Sequence, residues 1–209
     1  MDREEEERYL ARDNLLWQSR AIVATADLIL IDDRFTDIVN KIESAKINNR
    51  IVVFSGVGKS GLVARYVASC FNVIGVPSVF LHPTDAVHGD AGILQNAPTF
   101  IAFSVSGETE ELEPLINKII HPSVSIFLIT AGGDECSLAL NVRTVLPIAR
   151  LPEIDPSGIL PLTASLMQMA LGNALVVAVA ERIVFNRENL ALLHPGGAIG
   201  EKLREEGAG

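Results

Sequence analysis

Five short apolar segments constrain the fold of this chain more than any other feature. They cover residues 51–54, 78–81, 99–103, 125–129 and 144–148, and aliphatic side chains dominate them, as is usual for strands buried on both faces. Segments with helical spacing lie between them, and strands that alternate with helices form parallel sheets. We therefore predict an α/β fold, a doubly wound five-stranded parallel sheet flanked by helices.

The length of the chain limits the number of domains. Its 209 residues suffice for one α/β domain and are too few for two ordinary ones, and no linker rich in Pro, Gly or Ser interrupts them. We predict a single domain over residues 1–209, with a helical extension over about 1–47. The extension contains a long helix to residue 30 and a second over 33–45. The long helix either packs on a partner subunit or covers its own sheet.

An apolar stretch over residues 160–185 approaches the length of a membrane span. Gln168, Gly172 and Asn173 interrupt it, and Pro161 fits a helix start. We interpret it as a helix buried all round, against its own sheet and a neighbouring subunit, and expect no membrane partner.

Charge and cysteine content exclude other classes of function. The net charge is −9 and no basic stripe is visible, so we expect no nucleic-acid partner. Cys70 and Cys136 fit neither a zinc spacing nor a dense disulfide pattern, and the acidic N-terminus shows no signal peptide. These observations predict a reduced, cytoplasmic protein.

Hydroxyl side chains cluster in the turn over residues 104–111, between the third strand and a predicted helix over 112–120. Ser104, Ser106 and Thr109, together with free N–H groups at a helix start, suit a phosphate or another anion. The alternative is that Ser106 or Thr109 only caps the helix while Gly107 sets the turn.

A second turn of this kind, over residues 55–61, favours the anion. It contains Ser55, Gly56, Lys59 and Ser60 after the first strand. A nucleotide-binding loop would need glycine where Val53 stands, so a sugar phosphate fits better. Two strand–turn–helix units predict a ligand at the carboxyl ends of parallel strands.

Two of the four histidines, His82 and His88, lie in one loop over residues 82–92, beside Asp85 and Asp90. This composition indicates a polar site. Zinc is the weaker interpretation, because spacing fixes no third ligand.

These elements together resemble a sugar isomerase (SIS) domain, and more narrowly the arabinose 5-phosphate isomerases that feed Kdo synthesis. The matching elements are Gly58-Lys59-Ser60-Gly61, His88-Gly89-Asp90, the turn over 104–111 and His194-Pro195-Gly196-Gly197. The segment over residues 153–161 is similar to a family segment that has cysteine where this chain has Asp155, a change that could alter substrate preference. Val105 stands where the family usually has asparagine. Many members carry a pair of CBS domains after the SIS domain, and we expect no regulation through such domains here.

The resemblance implies an aldose–ketose isomerase that interconverts D-ribulose 5-phosphate and D-arabinose 5-phosphate through an enediol. The product would feed lipopolysaccharide, capsule or another polymer. The implied catalytic residues are Lys59, Glu111, Glu153 and His194. The enediol base is either Glu153 or His194, and His194 is expected from a neighbouring subunit of a homotetramer with shared active sites.

The resemblance also implies the residues that bind substrate. They are Ser55, Gly56, Ser60, His82, His88, Ser104, Ser106 and Thr109. No cofactor is expected to be required, and His82 is the expected contact for an inhibitory or adventitious zinc.

Two other functions remain as alternatives. A 6-phospho-3-hexuloisomerase has a similar size and central turn. A non-catalytic SIS sugar-phosphate sensor would keep the serine turns but could dispense with Lys59, Glu153 and His194.

Overall fold

A five-stranded parallel sheet forms the centre of the protein, in a computed structural model that describes residues 2–119 and 121–206. The strands are β1 (Val52–Gly56), β2 (Ser78–Phe80), β3 (Thr99–Phe103), β4 (Ser125–Thr130) and β5 (Thr144–Pro147). Their order is β2-β1-β3-β4-β5, and every neighbouring pair is parallel. The predicted α/β fold is confirmed. Strand order reverses between β1 and β3, which makes the carboxyl ends of these two strands the expected binding crevice.

Seven α-helices accompany the sheet in the described part of the chain. They are α1 (Arg3–Leu30), α2 (Arg34–Ile47), α3 (Gly58–Val73), α4 (Pro83–Val87), α5 (Leu162–Arg182), α6 (Arg187–Leu193) and α7 (Gly197–Glu205). Alternate strand residues point to opposite faces, so each face has its own core. On one face Phe54, Ile101 and Phe127 pack against α1, α2, α3 and α5. On the other, Val53 and Phe100 pack against α4 and the short helical turns that follow β2, β3 and β4.

Two local predictions differ from the structure, and one helix was not predicted. The helix predicted over 112–120 is irregular, with a 3₁₀ turn at Glu110–Leu112 and a π-helical turn at Leu115–Ile119, and residue 120 lies outside the described residues. The predicted loop over 82–92 contains α4, which begins at Pro83 after His82, and then the start of a 3₁₀ segment. Helix α6 was not predicted, although Asn186 and Asn189 form a capping box at its start.

Helix α5 is long and apolar enough to cross a membrane, with a mean hydropathy of 1.7, and 44% of its most apolar window is buried. It packs on α3, α1 and α2, and Gly172 lets Val67 of α3 approach closely. Asn173 and Val177 are exposed in the single chain, so the chain's own fold covers only part of α5. Its predicted contact with a neighbouring subunit stays a prediction.

Candidate active site

A crevice opens at the carboxyl ends of the strands, where the strand order reverses. It consists of a cavity of about 300 Å³ beside the start of α3 and a larger one of about 660 Å³ beside β4 and β5. Val105, Ser106 and Pro161 line both cavities, so the two adjoin along a shared wall. Residues of the two glycine- and serine-containing turns line the smaller cavity together, and their role as a ligand site stays a prediction.

The smaller cavity has the features of an anion site. Lys59 and Ser60, in the first turn of α3, line it together with Ser106 and Thr109. The first N–H groups of a helix have no partner within it, and within the described chain no side chain caps α3. These N–H groups, the positive end of the helix dipole and the Lys59 ammonium together favour a phosphate.

Two glycines bring this turn close to the sheet. A Cβ atom on Gly61 would lie 2.7 Å from the carbonyl oxygen of Gly56, and one on Gly56 would lie 2.9 Å from the carbonyl oxygen of Phe103. Backbone atoms cannot move aside as flexible side chains can. The anion-binding turn is therefore fixed against the ends of β1 and β3.

Ser55 and Ser104, predicted to contact phosphate directly, have buried hydroxyls with protein partners. Ser55 Oγ donates to the carbonyl oxygen of Leu81 at 2.7 Å and so joins β1 to the end of β2. Ser104 Oγ lies 2.7 Å from Thr109 Oγ1 and accepts from the Gly107 N–H at 3.0 Å. Both serines shape the turns in the structure, so their direct contact with phosphate stays a prediction.

Ser60 and Ser106 lie at the surface of the cavity. Ser60 Oγ donates to Oε1 of Gln168 at 3.0 Å, and Gln168 is fully buried in α5. Ser106 Oγ accepts from the Glu108 N–H at 3.1 Å, which leaves its own proton for a ligand. Ser106 is therefore the hydroxyl best arranged to donate to a bound anion.

Glu153 lines the larger cavity from the segment that follows β5. Its carboxylate caps α5, since Oε2 accepts from the Thr163 N–H at 2.7 Å and Oε1 from the Ala164 N–H at 2.9 Å. Each oxygen retains a further lone pair. The geometry thus gives a carboxylate with a fixed position and remaining capacity to accept a proton.

Asp155, the residue expected to alter substrate preference, braces its own loop. Its carboxylate accepts from the Ser157 N–H at 2.8 Å and the Leu160 N–H at 3.0 Å. The Ser157 hydroxyl also donates to it, and this bond above all lowers the pKa of Asp155. Asp155 lines neither cavity of the crevice.

Three charged residues of the larger cavity were missed at the sequence level: Glu108, Glu135 and Arg150. Glu108 accepts from the Ser137 N–H at 2.9 Å, and its hydrogen bonds with Ser137 lower its pKa. Arg150 comes three residues after β5, a position at the carboxyl edge of the sheet that could have identified it.

The structure does not bring three predicted residues into the crevice. Glu111 is exposed on the 3₁₀ turn after β3. His82 caps α4, its Nδ1 accepting from the Thr84 N–H at 3.2 Å, and His88 is exposed at the other end of α4. None of them lines either cavity. Across residues 2–119 and 121–206, no group of three or more His, Cys, Asp or Glu side chains could hold a metal, so zinc at His82 stays a prediction.

His194 lies on the side of the molecule opposite the crevice. It follows Leu193, which lines a small cavity with Lys46, Ile74 and Gly75, at the end of the sheet where β1 and β2 begin. Helix α5 spans the distance between the two edges, about 30 Å for 21 residues. The described chain therefore does not bring its own His194 to its own Glu153.

The chain is similar in sequence to known proteins over most of its length. The SIS domain family matches residues 47–178. A probable arabinose 5-phosphate isomerase of Haemophilus influenzae is 33% identical over 194 residues, covering 93% of this chain and 56% of its own length. The arabinose 5-phosphate isomerase KdsD of Escherichia coli K12 is 39% identical over 152 residues, 73% of this chain and 46% of its own length.

One solved structure is matched over its full length. The E. coli CFT073 protein c3406 in complex with arabinose 5-phosphate is 30% identical, with a TM-score of 0.77 over 93% of this chain and 100% of that one. The chain thus spans about half the length of the curated relatives that it matches, and the full length of this structural one.

Proposed function

The chain belongs to the SIS-domain family, and on this premise we propose that it interconverts D-ribulose 5-phosphate and D-arabinose 5-phosphate. Relatives named arabinose 5-phosphate isomerase at 33% and 39% identity support this substrate. So does the relative in complex with arabinose 5-phosphate. The observation that carries the proposal is the crevice, which joins the start of α3 and Lys59 at one end to the fixed carboxylate of Glu153 at the other.

The proposed reaction follows from this arrangement. The phosphate lies at the start of α3, where Lys59 and Ser106 hold it, and binding energy from this remote group orients the reacting carbons. Glu153 removes the proton from the carbon next to the carbonyl group and, after exchange with solvent, protonates the neighbouring carbon of the enediol. Ser55, Gly56, Ser60, Ser104 and Thr109 build the phosphate-binding turns.

His194 supplies the acid in this proposal, or takes the place of Glu153 as the base, and it comes from a neighbouring subunit. Its position beside the edge where the strands begin supports a contribution from another copy of the chain. We extend the proposal to a homotetramer with shared active sites. Glu111, His82 and His88 approach substrate only if their segments move or meet a second copy.

We also propose how the protein is organised and where it works. Residues 1–47 act as a helical extension of a single SIS domain, and the protein works in the cytoplasm without a required cofactor, with His82 as the contact for any zinc. The product supplies the synthesis of Kdo-containing polymers.

Nuclear magnetic resonance of D-ribulose 5-phosphate incubated with the purified protein in D₂O tests the reaction. We expect D-arabinose 5-phosphate with deuterium at the carbon that exchanges its proton. A parallel incubation with 6-phospho-3-hexulose is the control for the hexuloisomerase alternative. Turnover of the hexulose alone, or of neither sugar, would contradict the proposal.

A further inference from the structure

Helix α1 lies outside the residues that match the SIS family, yet it is hydrogen-bonded to the wall of the crevice. Trp17 Nε1 donates to the carbonyl oxygen of Pro152 at 3.1 Å, across 135 positions of sequence. The Ala149 N–H donates to Oγ1 of the buried Thr25 at 3.2 Å. Ala149 and Pro152 both line the larger cavity, so α1 holds the segment that leads into Glu153 at two points.

The contact at Pro152 acts directly on the backbone of Glu153. The peptide unit that contains the Pro152 carbonyl also contains the Glu153 nitrogen, and its six atoms lie close to a plane. Fixing that carbonyl oxygen therefore restricts the orientation of the Glu153 main chain. Proline has no N–H, so this carbonyl is the single backbone group through which Pro152 can be held by a hydrogen bond.

The side chain of Glu153 is held separately by the first turn of α5, through the Thr163 and Ala164 N–H groups. We propose that Trp17 is a positioning residue that aligns Glu153 for proton transfer by fixing Pro152. This inference rests on the proposed function, in which Glu153 is the base. It assigns a functional part to the helical extension, which the family match does not cover.

Hydrogen–deuterium exchange tests the contact without reference to any substrate. Trp17→Phe keeps an aromatic ring and removes the N–H donor, while Ser19→Ala removes a hydroxyl that bonds only within α1, to the Leu16 carbonyl oxygen. We expect Trp17→Phe to speed exchange of the amides in residues 149–161 by about three- to tenfold, as for the loss of one hydrogen bond. Ser19→Ala should leave that segment unchanged. Equal exchange in both variants would overturn the inference.

Kinetics tests the link to Glu153. We expect Trp17→Phe to lower kcat by about three- to tenfold with KM within twofold of the wild type, since the phosphate end of the crevice is untouched. In a Glu153→Gln background the same change should have no further effect on kcat, because it acts through the carboxylate. A full additional loss in that background, or an unchanged kcat in Trp17→Phe alone, would overturn the positioning role.

The two experiments separate this inference from the proposed function. Failure of the wild-type protein to isomerise D-ribulose 5-phosphate refutes the proposed function and with it the catalytic part of the inference, and the exchange measurement then decides only whether Trp17 holds the segment over residues 149–161. Isomerisation by the wild type, with exchange and kcat unaltered in Trp17→Phe, refutes the inference and leaves the proposed function standing.

Discussion

Substitution of Gly61 by alanine should perturb the anion-binding turn through a single added methyl group. The new Cβ would lie 2.7 Å from the Gly56 carbonyl oxygen, whereas ordinary contact begins at 3.4 Å, so the turn must retreat by about 0.7 Å. Overpacking of this kind costs about 1–3 kcal/mol. The better helix propensity of alanine offsets up to about 1 kcal/mol. Taking the middle of the overpacking range, about 2 kcal/mol, we expect a net loss of stability of about 1–2 kcal/mol.

The displacement should also reach the substrate, because Lys59 and Ser60 lie in the same turn. A misplacement of about 1 Å can cost 10²-fold in catalysis, so a shift of about 0.7 Å should raise the KM for D-ribulose 5-phosphate by about tenfold. The expected fall in Tm is roughly 2–8 °C for a chain of this length.

Thermal unfolding at fixed protein concentration and steady-state kinetics measure both effects. Gly92→Ala is the matched control, since a Cβ atom there meets nothing within 4 Å and the backbone is not in the left-handed region. Equal values of Tm and KM in Gly61→Ala and Gly92→Ala would refute this reasoning.

Three further predictions concern the proposed catalytic groups. Glu153→Gln should lower kcat by about 10²-fold or more, as for loss of a general base. Its far-UV circular dichroism spectrum should be unchanged. Near-normal turnover would exclude Glu153 from the chemistry. Lys59→Gln should raise KM far more than it lowers kcat, because it removes a fixed cation at the phosphate. A fall in kcat alone would contradict the role of Lys59 in binding the phosphate. A mixture of Glu153→Gln and His194→Gln chains, unfolded and refolded together, should recover part of the activity that each lacks alone. No recovery would argue against a His194 shared between subunits.

The sheet could be predicted because its signal is local. Each strand is a short run of apolar residues followed by a turn, and burial on both faces leaves little ambiguity about such runs. The position of the site followed for the same reason, since parallel strands bring the turns after β1 and β3 to one edge. Neither step needed information about distant contacts.

The details that the sequence did not show depend on tertiary contacts. In the fold the hydroxyl of Ser55 donates to the Leu81 carbonyl oxygen, a partner that no local pattern indicates, and direct contact of Ser55 with phosphate stays a prediction. Regular spacing predicted a helix over 112–120, whereas the fold has a π-helical turn at Leu115–Ile119 whose Leu115 and Ile116 are buried in the core. The bond between Trp17 and Pro152 joins residues 135 positions apart and leaves no local pattern at all.

In the proposed reaction the carboxylate of Glu153 serves both as the base and as a cap of α5, which would couple folding to chemistry. Active-site groups commonly reduce stability, so that losing one makes a protein more robust. Here the same oxygens cap the first turn of α5, and their removal leaves two backbone donors without a partner. A variant that loses Glu153 would therefore gain no stability from the change. Selection for a stably folded chain would then help to retain this residue even where selection for activity is absent.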